Sequence, residues 1–342
     1  MNLPDVFTRY RGYIDSGLKS TVGEAALPLF GMLRYHMGWA DEKGQPMTSN
    51  SGKAVRPALC LFSCEAVGGS KDHALPAALG LELVHNFSLI HDDIQDGDTE
   101  RRHRATVWYL WGIDHGINAG AALNVVANLA LFPKPLPSTD GVRLLAASRL
   151  LTQSCAEMIE GQAIDLSFEE RLNVTVNDYL VMVGKKTGAL LTCAVHMGAL
   201  LGTDCEDTIA QLRLSGKALG ALFQIRDDIL GVWGKEAETG KPVAADIKRR
   251  KKSLPAVHAL ERASGQAHDR LRDIYRRRDS MTQAELDDVL DIMDDCSTQR
   301  FCQDLAAEKA QAVTKELSKV KMEPWARQGF EELATFLLER EF

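Results

Sequence analysis

Within LIHDDIQDGDTERRHR, residues 89 to 104, Asp92, Asp93 and Asp96 are followed at once by Arg101, Arg102 and Arg104. On a helix Asp92 and Asp96 stand one turn apart and share a face, while Asp93 is turned about 100° away. Stacked carboxylates repel and weaken a helix by roughly a few tenths of a kcal/mol, so something has to offset them. An acidic helix end can be a plain solvated face. These acids, however, close a strongly apolar run, and a magnesium ion is usually held by one or two carboxylates together with phosphate oxygens. Arginine forks just beyond them suit phosphate oxygens. The residue types and spacing point to a metal-bridged diphosphate.

A second stretch, LFQIRDDILGVWG, places Gln224, Asp227 and Asp228 on one helical side at spacings of three and four. Two aspartate pairs, each ending an apolar helix, would together wall a cavity with an acidic mouth and an apolar floor. Basic residues lie at breaks between apolar helices: Lys53 and Arg56 in SGKAVRP, Lys186 with Thr187 in VGKKTGALL, Lys241 in TGKP and Lys251 in RRKKSLP. Taken singly, each lysine reads as a surface charge. Beside Gly or Thr at such breaks they are what a diphosphate site uses.

The elements that position these groups read as helices, because apolar residues recur three and four apart in AALGLELVHNFSLIHDD, LNVVANLALF and GKALGALFQIRDDIL. Alternating strand patterns are hard to find. Breaks fall at 38 to 53, 68 to 72, 132 to 141 and 234 to 242, and none is a long linker. The expectation is an all-α chain, with residues 1 to 342 forming one helical-bundle domain around a central apolar cavity. With 45% hydrophobic and 25% charged residues the chain can bury a large core. A formal charge of -7 speaks against nucleic-acid binding. The absence of a long apolar run and of a signal-peptide pattern leads to an expected cytoplasmic location with no membrane span. Seven scattered cysteines, most inside apolar runs, read as buried free thiols.

At these motifs the sequence resembles the trans-isoprenyl diphosphate synthases, the polyprenyl synthetase family. The similar segments are GKAVRP (52 to 57), ELVHNFSLIHDDIQD with RRHRATVW (82 to 108), GQAIDLSFE (161 to 169), KKTGALL (185 to 191), FQIRDDILG (223 to 231) and GKP with KKSLP, ending at 255. The wording is most similar to bacterial geranylgeranyl diphosphate synthases. The resemblance implies an isoprenoid-synthase bundle, a homodimer, and head-to-tail joining of isopentenyl diphosphate to an allylic diphosphate. It implies magnesium, about three ions per site, held by Asp92, Asp93 and Asp96 on one side and Asp227 on the other, with Asp228 nearby. By the same resemblance Arg101, Lys186, Thr187, Gln224, Lys241 and Lys251 handle the allylic diphosphate, and Lys53, Arg56, His85 and Arg102 hold isopentenyl diphosphate. Without it, His85 reads as an ordinary core histidine.

Phe87, five residues before Asp92, would lie about 7.5 Å below the metal on a helix. With Ser88 it is the expected floor that limits product length to fifteen to twenty carbons. The pattern is departed from at Gly231, where many relatives carry an acid, at Lys235, and at Ala121, where relatives often have Asp. These losses raise two alternatives: a class I terpene cyclase on the same fold, and a weakly active or non-catalytic partner subunit. The positions 227, 231 and 235 do not match the cyclase metal motif, and the intact first cluster speaks against a non-catalytic partner.

Overall fold

The computed structural model describes residues 4–23, 25, 27–47, 52–132, 141–234 and 244–339. The helices are α1 (Asp5–Thr8), α2 (Arg11–Val22), α3 (Pro28–His36), α4 (Val55–Ala66), α5 (Lys71–Gln95), α6 (Val107–Trp111), α7 (Ile113–Ala130), α8 (Gly141–Phe168), α9 (Val176–Lys186), α10 (Gly188–Gly202) and α11 (Glu206–Trp233). The C-terminal part adds α12 (Ala245–Lys248), α13 (Leu254–Arg262), α14 (Gly265–Arg276), α15 (Gln283–Asp295), α16 (Thr298–Leu317) and α17 (Pro324–Glu339). The all-α expectation holds; among the described residues β1 (Glu100–Arg101) and β2 (Arg104–Ala105) form a two-residue antiparallel ribbon, and Ala40 and Pro46 make an isolated antiparallel bridge. The ribbon escapes period-two detection because two residues per strand carry no period.

α5 is the central helix. Ser70 caps its start by accepting from the Asp72 amide, and its 25 residues run to the Asp96 cap. Ala74, Ala77, Leu81, Val84, Phe87 and Ile90 are all buried, so it is apolar nearly all round. Each such Leu or Phe contributes about 1.5–3 kcal/mol of transfer free energy. α5 packs along α4 and α7, and α10 packs along α4 and α11. One large apolar cluster runs from α1 to α17, and a second, around Ile247, Leu271, Ile274, Val289 and Met293, knits α12 to α15. α11 joins both, through Leu219 to Ile229 in the first and Val232 in the second.

This packing carries the two acid-bearing helix ends, on α5 and α11, to one end of the bundle. The seven cysteines are free, five of them buried. Among the described residues no helix is long and apolar enough to cross a membrane.

Candidate functional site

The first acidic wall is the C-terminal turn of α5. Asp92 and Asp96 look toward Lys186, whose charge favours ionisation of both, while burial is the larger influence and pushes both carboxyls up. Lys186 ends α9, which a capping box between Thr175 and Asp178 starts. Its ammonium donates to Asp165 Oδ2 at 2.6 Å. Asp165 lies on α8 within GQAID, and it reaches this place because Gly161, one turn earlier, lies against the Lys186 backbone where any Cβ would overlap it. Asp165 was not among the sequence-derived site residues. Its signal was the Gly four positions before an acid, which sequence periodicity does not distinguish from ordinary helix packing.

Asp93 faces the other way. It is 1% exposed, and Arg101 Nε donates to its Oδ1 at 2.7 Å. Burial pushes its carboxyl up to about 6 against the pull of Arg101. Its Oδ2 is buried and without a hydrogen-bond partner among the described residues. The ribbon explains the arginines: Arg102 and His103 both have positive φ, 53° and 60°, as a two-residue hairpin turn demands. That turn sends Arg101 to Asp93 and Arg102 toward α4. Arg104, by contrast, donates to the Tyr35 and Ala40 carbonyls at 2.8 Å and lies over the Tyr35 ring, so it is structural. Tyr35, His36, Arg101, Arg102 and Arg104 line a small cavity of about 30 Å³.

The second wall is the last part of α11. Thr187, at the α9–α10 junction, donates to Gln224 Oε1 at 2.7 Å, and Gln224 Nε2 donates to Asp228 Oδ1 at 2.8 Å. Asp228 also accepts from the Tyr179 hydroxyl at 2.5 Å and the Leu254 amide at 2.8 Å, and it is 1% exposed. Its oxygens are thus committed to protein donors that tie α9, α11 and α13 together. Asp227 is half-buried on the same turn. At Gly231 an added Cβ would overlap the Asp246 carboxylate, which occupies that space. The acid missing from position 231 in the sequence is therefore matched in space by one from α12, a residue the sequence reading did not single out.

Lys251 binds the walls together electrostatically. Burial works against its charge, yet Asp228, Asp246, Asp227 and Asp165 outweigh that and its pKa is raised. Asp96 feels Lys251 as well, so acids of both walls surround one ammonium. Arg249 Nη2 approaches Asp98 Oδ1 at 3.3 Å, a further link across the mouth. Lys241 and Lys235 lie outside the described residues.

A third group lies on α4, α5 and the loop before α4. His85 is held neutral by burial first and then by Arg56 and Arg102, so it offers one N–H. Arg56 is half-buried and feels Glu82, Lys53 is exposed, and Arg102 feels Glu82 and Arg11. Below them Phe87 is 6% exposed and its ring meets His91 edge-on at 4.9 Å. The Ser88 hydroxyl donates to the His85 carbonyl at 2.8 Å.

The oxygen-only donor set of Asp92, Asp96, Asp227 and Asp246 suits a hard divalent cation such as magnesium. Among the described residues no three acids or histidines converge closely enough to hold a metal by themselves. A metal that takes only one or two carboxylates and completes its shell from phosphate and water fits that arrangement.

Residues 38–293 match the family model described as polyprenyl synthetase. The (2E,6E)-farnesyl diphosphate synthase of Mycobacterium tuberculosis (strain CDC 1551 / Oshkosh) is 43% identical over 226 residues, 66% of this chain and 62% of that protein. The geranylgeranyl diphosphate synthase of Mycobacterium tuberculosis (strain ATCC 25618 / H37Rv) is 39% identical over 285 residues, covering 83% of this chain and 80% of that one. Among solved structures, a polyprenyl synthetase from Streptomyces coelicolor A3(2) superposes with a TM-score of 0.89 at 38% identity, covering 97% of this chain and 98% of the other.

Proposed function

Because this chain belongs to the polyprenyl synthetase family, we propose that it condenses isopentenyl diphosphate head to tail with an allylic diphosphate, the whole chain acting as one domain. The observation that carries this is the convergence of Asp92, Asp96, Asp165, Asp227 and Asp246 around Lys186 and Lys251, beside a separate group in which the cations Lys53, Arg56 and Arg102 accompany the neutral His85. Two cationic groups answer two diphosphates, where a terpene cyclase needs one.

Magnesium, when bound between Asp92, Asp96 and Asp227, supplies positive charge against the charge that grows on the departing diphosphate. Lys186 and Lys251 add fixed charge at the same place, and Thr187 with Gln224 orients the Lys186 end of α9. Asp93 aims Arg101, and Asp228 aims Gln224; both act through the side chains they hold. Arg56, Arg102, Lys53 and the neutral N–H of His85 hold the second diphosphate so that its double bond meets the allylic carbon. The apolar faces of α5 and α7 below the acids keep water from the cationic carbon. Phe87 forms the floor and favours a product of about twenty carbons, as a buried ring one and a half turns below Asp92 stops the tail.

The relatives bear farnesyl and geranylgeranyl names at similar identity, so Phe87 and its neighbours carry the choice of product. Incubation with magnesium, isopentenyl diphosphate and dimethylallyl, geranyl or farnesyl diphosphate, with products weighed by mass spectrometry, tests the proposal. Chain-elongated diphosphates are expected; a cyclic hydrocarbon from one allylic substrate, or silence without a second polypeptide, would overturn it.

A further inference from the structure

Lys248, Arg249, Arg250, Lys251 and Lys252 are consecutive cations, a run that repels itself and belongs in solvent. The fold instead sends them in different directions. Arg249 is exposed and reaches Asp98, Lys251 is drawn to the acids of the second wall, and Lys252 is buried with Nζ 5.4 Å from the centre of the Tyr275 ring. Arg250 turns inward. Its side chain is 10% exposed, Nε donates to the Ile274 carbonyl at 2.8 Å, and Nη1 donates to the Asp279 carbonyl. Nη2 stands 3.7 Å from Asp279 Oδ1 and 3.9 Å from Glu285 Oε2. One guanidinium thus ties together the end of α14, the α14–α15 connection and the acid of the capping box that starts α15.

The backbone shows what this anchorage holds. Arg250 has φ 52°, in the left-handed region that a residue with a side chain rarely adopts. There its amide donates to the Ile247 carbonyl at 2.8 Å, and the Lys251 amide donates to the Asp246 carbonyl at 3.0 Å, closing α12. A helix of four residues has too few hydrogen bonds to hold itself. Ile247, fully buried, fixes α12 to the second apolar cluster, and Arg250 fixes its exit to α14 and α15. From this same turn the Asp246 carboxylate reaches the space at Gly231. We infer that Arg250 is a positioning residue, which holds α12 so that Asp246 stays at Gly231 and Lys251 stays at the mouth. Its guanidinium is spent on α14 and α15, so it acts through those two neighbours and not on the substrate itself. Asp246 and Lys251 serve the metal and the allylic diphosphate, so the influence of Arg250 falls on that substrate and not on isopentenyl diphosphate.

This inference rests on the proposed prenyl transfer, and the test separates the two. Arg250→Gly accepts the left-handed backbone without strain and removes only the side chain, while Arg250→Lys keeps the charge and can meet one of the acceptors. The Kd of geranyl diphosphate is measured by calorimetry in magnesium-containing buffer without isopentenyl diphosphate. KM for each substrate, the magnesium concentration for half-maximal turnover and the melting temperature are measured alongside. Arg250→Gly should raise the Kd and KM of geranyl diphosphate and the magnesium midpoint about tenfold, with KM for isopentenyl diphosphate unchanged and Arg250→Lys in between. Unchanged values, or a parallel rise of both KM values with a lower melting temperature, overturn the inference and mark Arg250 as merely structural. Should Arg250→Gly fail to fold, the same comparison on Arg250→Lys decides. A wild type that binds geranyl diphosphate without elongating it removes the prenyl-transfer reading and leaves the Kd comparison to decide on Arg250; a wild type that binds none overturns both.

Discussion

The carboxylate of Asp246, on the short helix α12, fills the space that a side chain at Gly231 on α11 would need. The second wall thereby acquires an acid from a different helix, beside Asp227 and facing Lys251.

Asp246→Ala is expected to raise the magnesium concentration needed for half-maximal turnover by about tenfold, measured by titrating the metal at saturating substrate. Gly231→Asp should not improve activity, because the new side chain displaces Asp246. An increase in turnover for Gly231→Asp would show that the two carboxylates do not compete for this space.

Asp92→Ala should lower turnover by about a hundredfold or more, with the melting temperature of the metal-free protein unchanged or slightly higher. The sign of the stability effect follows from geometry: Asp92 and Asp96 repel each other, and burial already disfavours both charges. Turnover at the wild-type rate would remove Asp92 from the site.

Phe87→Ala opens the floor beneath the acids and should shift the product series beyond the wild-type length, read by mass spectrometry of the diphosphates. The ring also packs on His91, so a loss of about 3–5 kcal/mol in stability accompanies it. Products no longer than the wild type's would place the floor elsewhere.

Acid sensitivity should come from two histidines. His36 is pushed down to about 3, first by burial and then by Arg101 and Arg102, and His85 is lowered well below its usual value in the same way. The unfolded chain takes up protons near pH 6.5 while the folded protein does not, so their contribution is present above pH 6.5 and is lost as pH falls toward about 3. At pH 5.5 His36 alone costs about 1 kcal/mol. His36→Gln should flatten the fall of melting temperature between pH 7 and 5; an equally steep fall would locate the sensitivity in other groups.

A homodimer should form through α7, where Ile113, Ile117, Val125 and Leu129 are 52, 47, 59 and 64% exposed at spacings of four and eight. Ala121 lies in the same exposed stripe, and apolar stripes of this kind on a soluble helix mark contact surfaces. Val125→Glu should halve the mass measured by light scattering. A wild-type protein that is monomeric at micromolar concentration would refute the interface.

Much was legible from the residues alone. Periodicity at three and four marked the helices, since the faces of α5 and α11 bury what the sequence shows as apolar. The pairing of Thr187 with Gln224 and the shared surroundings of Asp92, Asp96 and Lys186 also join residues that the motifs had grouped. Side-chain direction was not legible. Adjacent aspartates leave a helix about 100° apart, so Asp93 turns to Arg101 while Asp92 faces Lys186, and only the neighbouring helices say what occupies each direction.

The sequence by itself determined the helical class, the positions of both acidic helix ends and the identity of the cations near them, because spacing along one helix is a local property. Only the tertiary structure decided that Asp165 and Asp246 complete the acidic walls, and that Asp228 is spent on Tyr179, Gln224 and Leu254. Those relations join residues up to 49 positions apart, brought together by helix packing around α5 and α11, and no pattern along one helix encodes which distant side chain arrives.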